Sequence, residues 1–371
     1  MEFSVDRDSL LKELSLTQGV VERKTTIPIL ANLLIEAVES TVRISATDLE
    51  LAVSSSFPAK VKQTGSGTIP AKRLLEIART LPAADIRFKL LENHWVQLNC
   101  QRSSFKLVGM ARDNFPALPA VPKTIATLPC RVLTGMINRT IFSISNEESR
   151  YTLNGALLVL KPESVAMVAT DGHRLSLVEG DVEVGGLKNE LHVLIPKKAM
   201  GELVKLLAEA GEEATVEFSK DENHLYFSVG GRLLVSRVLT GQFPNYDAVL
   251  PRENKRVVEL DKDQFTAAVR RVALLADERS RAIKVQLDSG KLEVYSSSGD
   301  YGEANEAIEV KYTDSPMQIG FNYQYLLDFL GVIGEGGSVR MELKDEQSAG
   351  QLRPADEKIF RYRYIVMPMR I

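Results

Sequence analysis

Cysteine is nearly absent from this chain: two of 371 residues, Cys100 and Cys130. Two isolated thiols cannot build a disulfide framework or a tetrahedral metal site, so both are expected as buried free thiols in a reducing compartment. No apolar run is long enough to span a bilayer, and the opening Met1-Glu2-Phe3-Ser4-Val5-Asp6-Arg7 lacks the basic-then-apolar pattern of a secretory signal. A cytoplasmic protein with no membrane partner is expected. Positive charge is not in excess either: the formal balance is −3, which excludes a protein that grips nucleic acid through a generally basic surface. Any contact with DNA has to be local, weak or topological. Neither a phosphate-binding loop nor a spaced metal-ligand cluster occurs, so no cofactor, metal or catalytic residue is expected. Asp171 and His173 are close enough to raise a hydrolase reading, but no nucleophile accompanies them. His94, His192 and His224 stand in strand-like or turn-like segments without spaced partners, and read as surface or satisfied residues.

What is present is a globular composition, 44% apolar and 26% charged, over a length that fits two or three domains. The chain repeats itself. Ala46-Thr47-Asp48 returns as Ala169-Thr170-Asp171 after 123 positions, Ile69-Pro70-Ala71-Lys72 as Ile195-Pro196-Lys197-Lys198 after 126, and Asn114-Phe115-Pro116 as Gln242-Phe243-Pro244 after 128. Ile319-Gly320-Phe321-Asn322 takes the third place in the second series. Each repeat reads as helix, short alternating strands, helix, strands, hence an α+β unit with antiparallel sheets. First helices are expected at about 7–17, 131–144 and 261–276, and second helices at about 71–81, 197–209 and 322–333. Pro70 and Pro196 are expected in the first turns of theirs. The expected domains are 1–122, 123–253 and 254–371, joined by proline-containing linkers.

Similar units at both ends of a chain favour head-to-tail assembly, which closes into a ring when the rotation per unit divides a full turn. Basic residues recur opposite the apolar stripes. Lys72 and Arg79 oppose Leu74, Leu75, Ala78 and Leu81; Lys198 and Lys205 point away from Leu203 and Leu207; Arg139 and Arg270-Arg271 add charge to the first helices of repeats two and three. The helix at 322–333 carries no basic residue.

These landmarks are joined by Thr26-Ile27-Pro28-Ile29-Leu30-Ala31-Asn32-Leu33-Leu34, Tyr151-Thr152-Leu153-Asn154-Gly155, Ala169-Thr170-Asp171-Gly172-His173-Arg174-Leu175 and Val366-Met367-Pro368-Met369-Arg370-Ile371. Together they closely resemble the beta sliding clamp of bacterial DNA polymerase III over essentially the whole chain. The resemblance implies three similar domains, each with two helices packed on antiparallel sheets, in a head-to-tail homodimeric ring around duplex DNA. It implies a non-catalytic processivity factor with sequence-independent DNA contacts. The implied partners are the DNA polymerase III catalytic subunit, a clamp loader, and other polymerases and repair proteins carrying clamp-binding peptides.

By the same resemblance Lys24, Lys72, Arg73, Arg150, Tyr151, Lys197 and Lys198 approach DNA. Phe105, Leu274 and Leu275 would join the subunits, although the residues alone read equally well as core. A peptide groove between the second and third domains would be formed by Leu153, Thr170, Gly172, His173, Arg174, Leu175, Pro244, Val249, Tyr325, Met367, Pro368, Met369 and Arg370. Methionines and leucines offer adaptable apolar surface there, while Arg174 and Arg370 would orient the peptide. Two positions depart from the family pattern: Ala248, where a larger or charged residue is common, and Thr152, where a second tyrosine is. An adaptor that binds peptides without surrounding DNA is the alternative to a clamp.

Overall fold

In the computed structural model, residues 1–21, 26–334, 336–356 and 358–370 are described. They form six α-helices: α1 (Arg7–Thr17), α2 (Ala71–Thr80), α3 (Cys130–Thr140), α4 (Lys197–Ala210), α5 (Lys262–Ala273) and α6 (Tyr323–Val332). Each stands where the periodicity predicts it, with two corrections. Helix α3 stops short because Thr140 leaves helical geometry at φ −121° and its hydroxyl turns back onto the Met136 carbonyl at 2.8 Å, after which Ile141–Ser143 form a 3-10 turn. Pro70 and Pro196 do not lie in the first turns of α2 and α4. Each instead ends the preceding strand, Gly65–Pro70 and Leu191–Pro196, where no further ladder donor is needed and proline is tolerated. Three helix starts use side-chain caps: Asp6 accepts from Ser9 N–H at 2.9 Å for α1, Asp261 from Gln264 N–H at 2.8 Å for α5, and Asn322 from Gln324 N–H at 2.9 Å for α6.

The chain forms two compact units, one of residues 1–134, 185–187 and 198–238, the other of residues 135–184, 188–197 and 239–371. In the first, a five-stranded sheet runs in the order Lys60–Gln63, Glu2–Asp6, Asp85–Leu90, Trp95–Cys100, Ser103–Val108. An eight-stranded antiparallel sheet pairs Leu51–Pro58 with Arg232–Arg237, so strands of repeats one and two continue one another. Helices α1 and α2 pack together, burying Leu10 and Leu14 of one and Leu74, Leu75 and Ala78 of the other. Glu13 on α1 receives Arg232 Nε at 2.9 Å, Arg232 Nη2 at 2.6 Å and the Ser55 hydroxyl at 2.5 Å. The pair is buried and fully bonded, the arrangement in which loss of one partner strands the other charge.

In the second unit an eight-stranded sheet pairs Arg174–Gly180 with Arg361–Val366, joining repeats two and three in one ladder. A four-stranded sheet runs Gly302–Glu309, Lys291–Ser298, Ala282–Asp288, Met317–Asn322, and α5 packs on α6. Cys100 and Cys130 are buried and unpaired, and burial pushes the Cys130 thiol pKa up. Among the described residues no helix is long and apolar enough to cross a membrane.

Candidate functional site

The strands Ser164–Thr170 and Arg174–Gly180 are joined by Asp171-Gly172-His173. This tight turn is built by side chains. Asp171 Oδ1 accepts from the N–H groups of His173 at 3.0 Å and Arg174 at 3.1 Å; Thr170 Oγ1 accepts from Gly172 N–H at 3.1 Å and donates to the Arg174 carbonyl at 2.6 Å. Gly172 has φ +90°, a conformation that favours glycine.

Arg174 leaves this turn and enters the fold. Its Nε donates to Asp171 Oδ2 at 3.0 Å, Nη1 to Asp328 Oδ2 at 2.5 Å and Nη2 to the Phe142 carbonyl at 2.5 Å. Its guanidinium lies 4.3 Å from the centroid of Tyr325 and 5.4 Å from that of Phe142. Burial opposes the charge, but the carboxylates of Asp328 and Asp171 outweigh it and raise the pKa further above neutrality. The geometry makes Arg174 a brace between the hairpin and α6, with its donors engaged inside the protein.

The end of the chain is pinned beside this hairpin. Met367 N–H donates to the His173 carbonyl at 2.9 Å and Met369 N–H to the Gly320 carbonyl at 2.9 Å, so Met367-Pro368-Met369 follows a defined path over two sheets. Met367 and Arg370 are exposed, Pro368 and Met369 half-buried. A cavity of about 380 Å³ beside the tail is lined by Lys284, Gln318, Gly320, Gln347, Met369 and Arg370. Leu153 and Leu175 belong to an apolar cluster with Val168, Leu177, Phe243 and Ile365, against which Tyr246 and Leu250 pack. Pro244 and Val249, in the same segment as Phe243 and Leu250, are exposed, as are Gly172 and His173, while Thr170 and Tyr325 are half-buried. Burial raises the Tyr325 pKa. Sequence reasoning missed Leu177, Phe243, Tyr246 and Leu250 in the cluster, and Phe142 and Asp328 around Arg174. Strand alternation gives Leu177, two residues beyond Leu175; Phe243 lay within a landmark used only to mark a linker. Ala248, itself exposed, ends the 3-10 turn Tyr246–Ala248, and Gly241 runs so close to Thr152 that a Cβ there would stand 2.6 Å from its methyl.

The cations proposed from the sequence are mostly engaged with carboxylates. Lys72 and Arg73 are exposed on α2 and share Glu76 at 3.9 and 2.9 Å. Lys198 pairs with Asp48. Lys197 donates to Asn146 Oδ1 at 2.8 Å, and burial together with the Arg174 charge lowers its pKa. Arg150 reaches Glu147 at 3.0 Å and the Asp171 carbonyl at 3.2 Å, and Tyr151 beside it is exposed. Lys24 lies outside the described residues. Of the basic residues on the first helices, Arg271 is bound by Glu306, and Arg139 lies over the Phe360 ring at 4.9 Å.

Three family models match in order: the N-terminal, central and C-terminal domains of the DNA polymerase III beta subunit, over residues 1–119, 127–245 and 247–370. The chain is 34% identical to a beta sliding clamp of Pseudomonas aeruginosa and 35% identical to one of Caulobacter vibrioides, each alignment covering 100% of both chains. It belongs to the beta sliding clamp family. The crystal structure of the DNA polymerase III subunit beta from Pseudomonas aeruginosa superposes with a TM-score of 0.93 at 33% identity, and the Bacillus subtilis DNA polymerase sliding clamp with 0.92 at 25%. They cover 100% of this chain, and 100% and 99% of theirs. A Pseudomonas aeruginosa sliding clamp bound to griselimycin matches with a TM-score of 0.94 at 33% identity, again over 100% of both chains. The fold is therefore the α+β DNA clamp fold, and the chain serves DNA replication as the sliding-clamp accessory subunit of DNA polymerase III.

In this clamp chain the interface candidates sit at sheet edges and helix ends. Phe105 is half-buried on Ser103–Val108, an edge of the five-stranded sheet. Leu274, just past α5, is 79% exposed, which rules out the core reading for it; Leu275 is half-buried. Gly302–Glu309 is an edge of the four-stranded sheet.

Proposed function

We propose that the chain closes head to tail with a second copy, forming a non-catalytic ring around duplex DNA that confers processivity and recruits partners through a peptide groove. Three domains, 1–122, 123–253 and 254–371, would repeat around each half of the ring. The observation that carries the groove is the pinned Met367–Arg370 tail beside the apolar cluster of Leu153 and Leu175, with Gly172, His173, Pro244 and Val249 exposed nearby. A peptide would place apolar side chains over that cluster, against Thr170, Tyr325, Met367, Pro368 and Met369, while Arg370 meets its charge. Arg174 would act from beneath by holding the hairpin. The DNA polymerase III catalytic subunit, the clamp loader and repair proteins would compete for this groove. The hydrogen bonds of both Asp171 oxygens, to the turn and to Arg174, support a structural role for this carboxylate over a catalytic one.

Closure would join Phe105 to Leu274 and Leu275, with the edge strands Ser103–Val108 and Gly302–Glu309 facing one another. Lys24, Lys72, Arg73, Arg150, Tyr151, Lys197 and Lys198 would meet phosphates weakly, retention coming from topology. A cytoplasmic location follows from this role. Negative-stain imaging of the full chain tests closure: a six-lobed ring with a hole is expected, and a monomer at micromolar concentration refutes it. Deleting residues 367–371 should abolish binding of a clamp-binding peptide with the ring intact; retained affinity would remove the groove assignment.

A further inference from the structure

Trp95 is the only tryptophan of the chain and is 40% exposed. It opens the strand Trp95–Cys100 directly opposite Val108, itself 54% exposed. Val96, Leu98 and Cys100 are buried, so alternation puts Trp95, Gln97 and Asn99 on the outer face of the five-stranded sheet. The turn that presents Trp95 holds two successive residues in the left-handed region, Asn93 and His94 with φ of +55° and +63°. The His94 carbonyl is held by Gly109 N–H at 3.0 Å, and a Cβ on Gly109 would stand 2.1 Å from the Thr68 carbonyl oxygen. The indole is thus displayed by a fixed turn.

A cavity of about 820 Å³ opens beside it, lined by Lys89, Leu90, Leu91, Glu92, Trp95 and Lys106. Lys89, Gln97 and Lys106 are in register across three strands, with Arg87 two residues from Lys89 on the same face. On this sheet Lys60 is matched by Asp85 at 3.1 Å and Lys62 by Glu2 at 3.0 Å. Arg87, Lys89 and Lys106 have no such ion pair among the described residues. A positive, partly apolar face therefore stands on a chain whose net charge is −3.

We propose that this face docks an acidic, extended protein segment, which sets one aromatic or aliphatic side chain against Trp95, Leu90 and Leu91 while its carboxylates meet Lys89 and Lys106. Tryptophan is favoured as an interface anchor, and the two lysines supply charge complementarity. A nucleic-acid strand suits the face less well. It offers one stacking platform rather than a series, and Glu92 and Glu2 would repel a chain charged at every phosphate, whereas a peptide can place neutral residues there. The surface is separate from the groove of Met367–Arg370 and does not depend on it.

Because Trp95 is unique, its emission reports occupancy in the full chain. A capped peptide of aspartates around a Phe-Leu pair should give a saturable shift in that emission, and a lysine version of the peptide none. Lys89→Glu with Lys106→Glu should reverse this preference while circular dichroism stays unchanged. Trp95→Ala, read by anisotropy of the labelled aspartate peptide, should bind about tenfold more weakly. Absence of any response to the aspartate peptide up to about 1 mM overturns the proposal. So does a tighter response to single-stranded oligo(dT), which would make nucleic acid the occupant.

Discussion

At Asp48 in the first repeat and Asp171 in the second, the chain makes the same turn. Oδ1 of Asp48 accepts from Glu50 N–H at 2.9 Å and Leu51 N–H at 2.7 Å, matching the bonds of Asp171 to His173 and Arg174 at 3.0 and 3.1 Å. Thr47 repeats the work of Thr170, donating to the Leu51 carbonyl at 3.0 Å and accepting from Leu49 N–H at 3.0 Å. Even the positive φ recurs, +78° at Leu49 and +90° at Gly172. The difference is in the second carboxylate oxygen: Asp48 gives it to Lys198 on α4, Asp171 to Arg174 beneath the candidate groove. In the third repeat Ser298 and Gly299 take the threonine and aspartate places, and Ser298 Oγ accepts from Asp300 N–H at 3.3 Å. The first two repeats share the backbone turn and leave one carboxylate oxygen for a separate role in each.

The largest expected effect breaks the second role. Arg174→Met removes the cation between Asp171 and Asp328 in a site where the arginine side chain is 10% exposed, and should cost about 3–5 kcal/mol, read as a lowered urea midpoint. Peptide binding should be lost with it. A loss below about 1 kcal/mol would put Arg174 among solvated ion pairs and dissolve the contrast with Lys198, which is half-exposed.

A paired substitution sharpens the equivalence of the two backbones. Gly172→Ala forces a side chain into φ +90° with its Cβ 2.9 Å from Arg150 Nη1, and should destabilise by about 1–2 kcal/mol. Leu49→Gly relieves comparable strain but adds about 0.5–1 kcal/mol of unfolded-state entropy, so a net gain of about 0.5 kcal/mol is expected. Chemical denaturation of both decides; loss of stability in both would show that Leu49 contributes more by packing than it costs in strain.

How much of this was legible depends on whether the signal was local. The helices, the Ala-Thr-Asp strand ends and the buried Leu74–Ala78 stripe followed from periodicity and landmarks. Met367–Arg370 is singled out only by the family resemblance, since a terminal Met-Pro-Met carries no local signal that it will be pinned to Gly320. What could not be read were partners distant in sequence. Nothing in the order of residues couples Arg174 to Asp328, Lys198 to Asp48, or Arg232 to Glu13. A helical wheel places basic residues opposite an apolar stripe but does not show their ion pairs, as with Lys72 and Glu76 on one helix or Arg271 and Glu306 on two elements.

A further aspartate extends the comparison to pH. Asp221 sits at the hairpin between Thr215–Lys220 and His224–Val229, and its Oδ1 accepts from Asn223 N–H at 2.8 Å and His224 N–H at 2.7 Å, as in the other two turns. Its second oxygen accepts from the Tyr226 hydroxyl at 2.6 Å, with His224 Nδ1 at 3.4 Å. That hydroxyl, aided by the two backbone donors against the cost of burial, lowers the Asp221 pKa from 3.8 to about 2. A depressed carboxyl pKa contributes stability that is complete above the unfolded value and is lost as pH falls through the folded one. The stability difference between the unsubstituted chain and Asp221→Asn should therefore be constant above about pH 5 and shrink between about pH 4 and pH 2. Tyr226→Phe should reduce that dependence, because it removes the first cause of the shift. If the difference held constant across the acid window, the turn would depend on oxygen geometry alone, and Asp221 would differ from Asp171 and Asp48 in the use of its charge as well as in its partner.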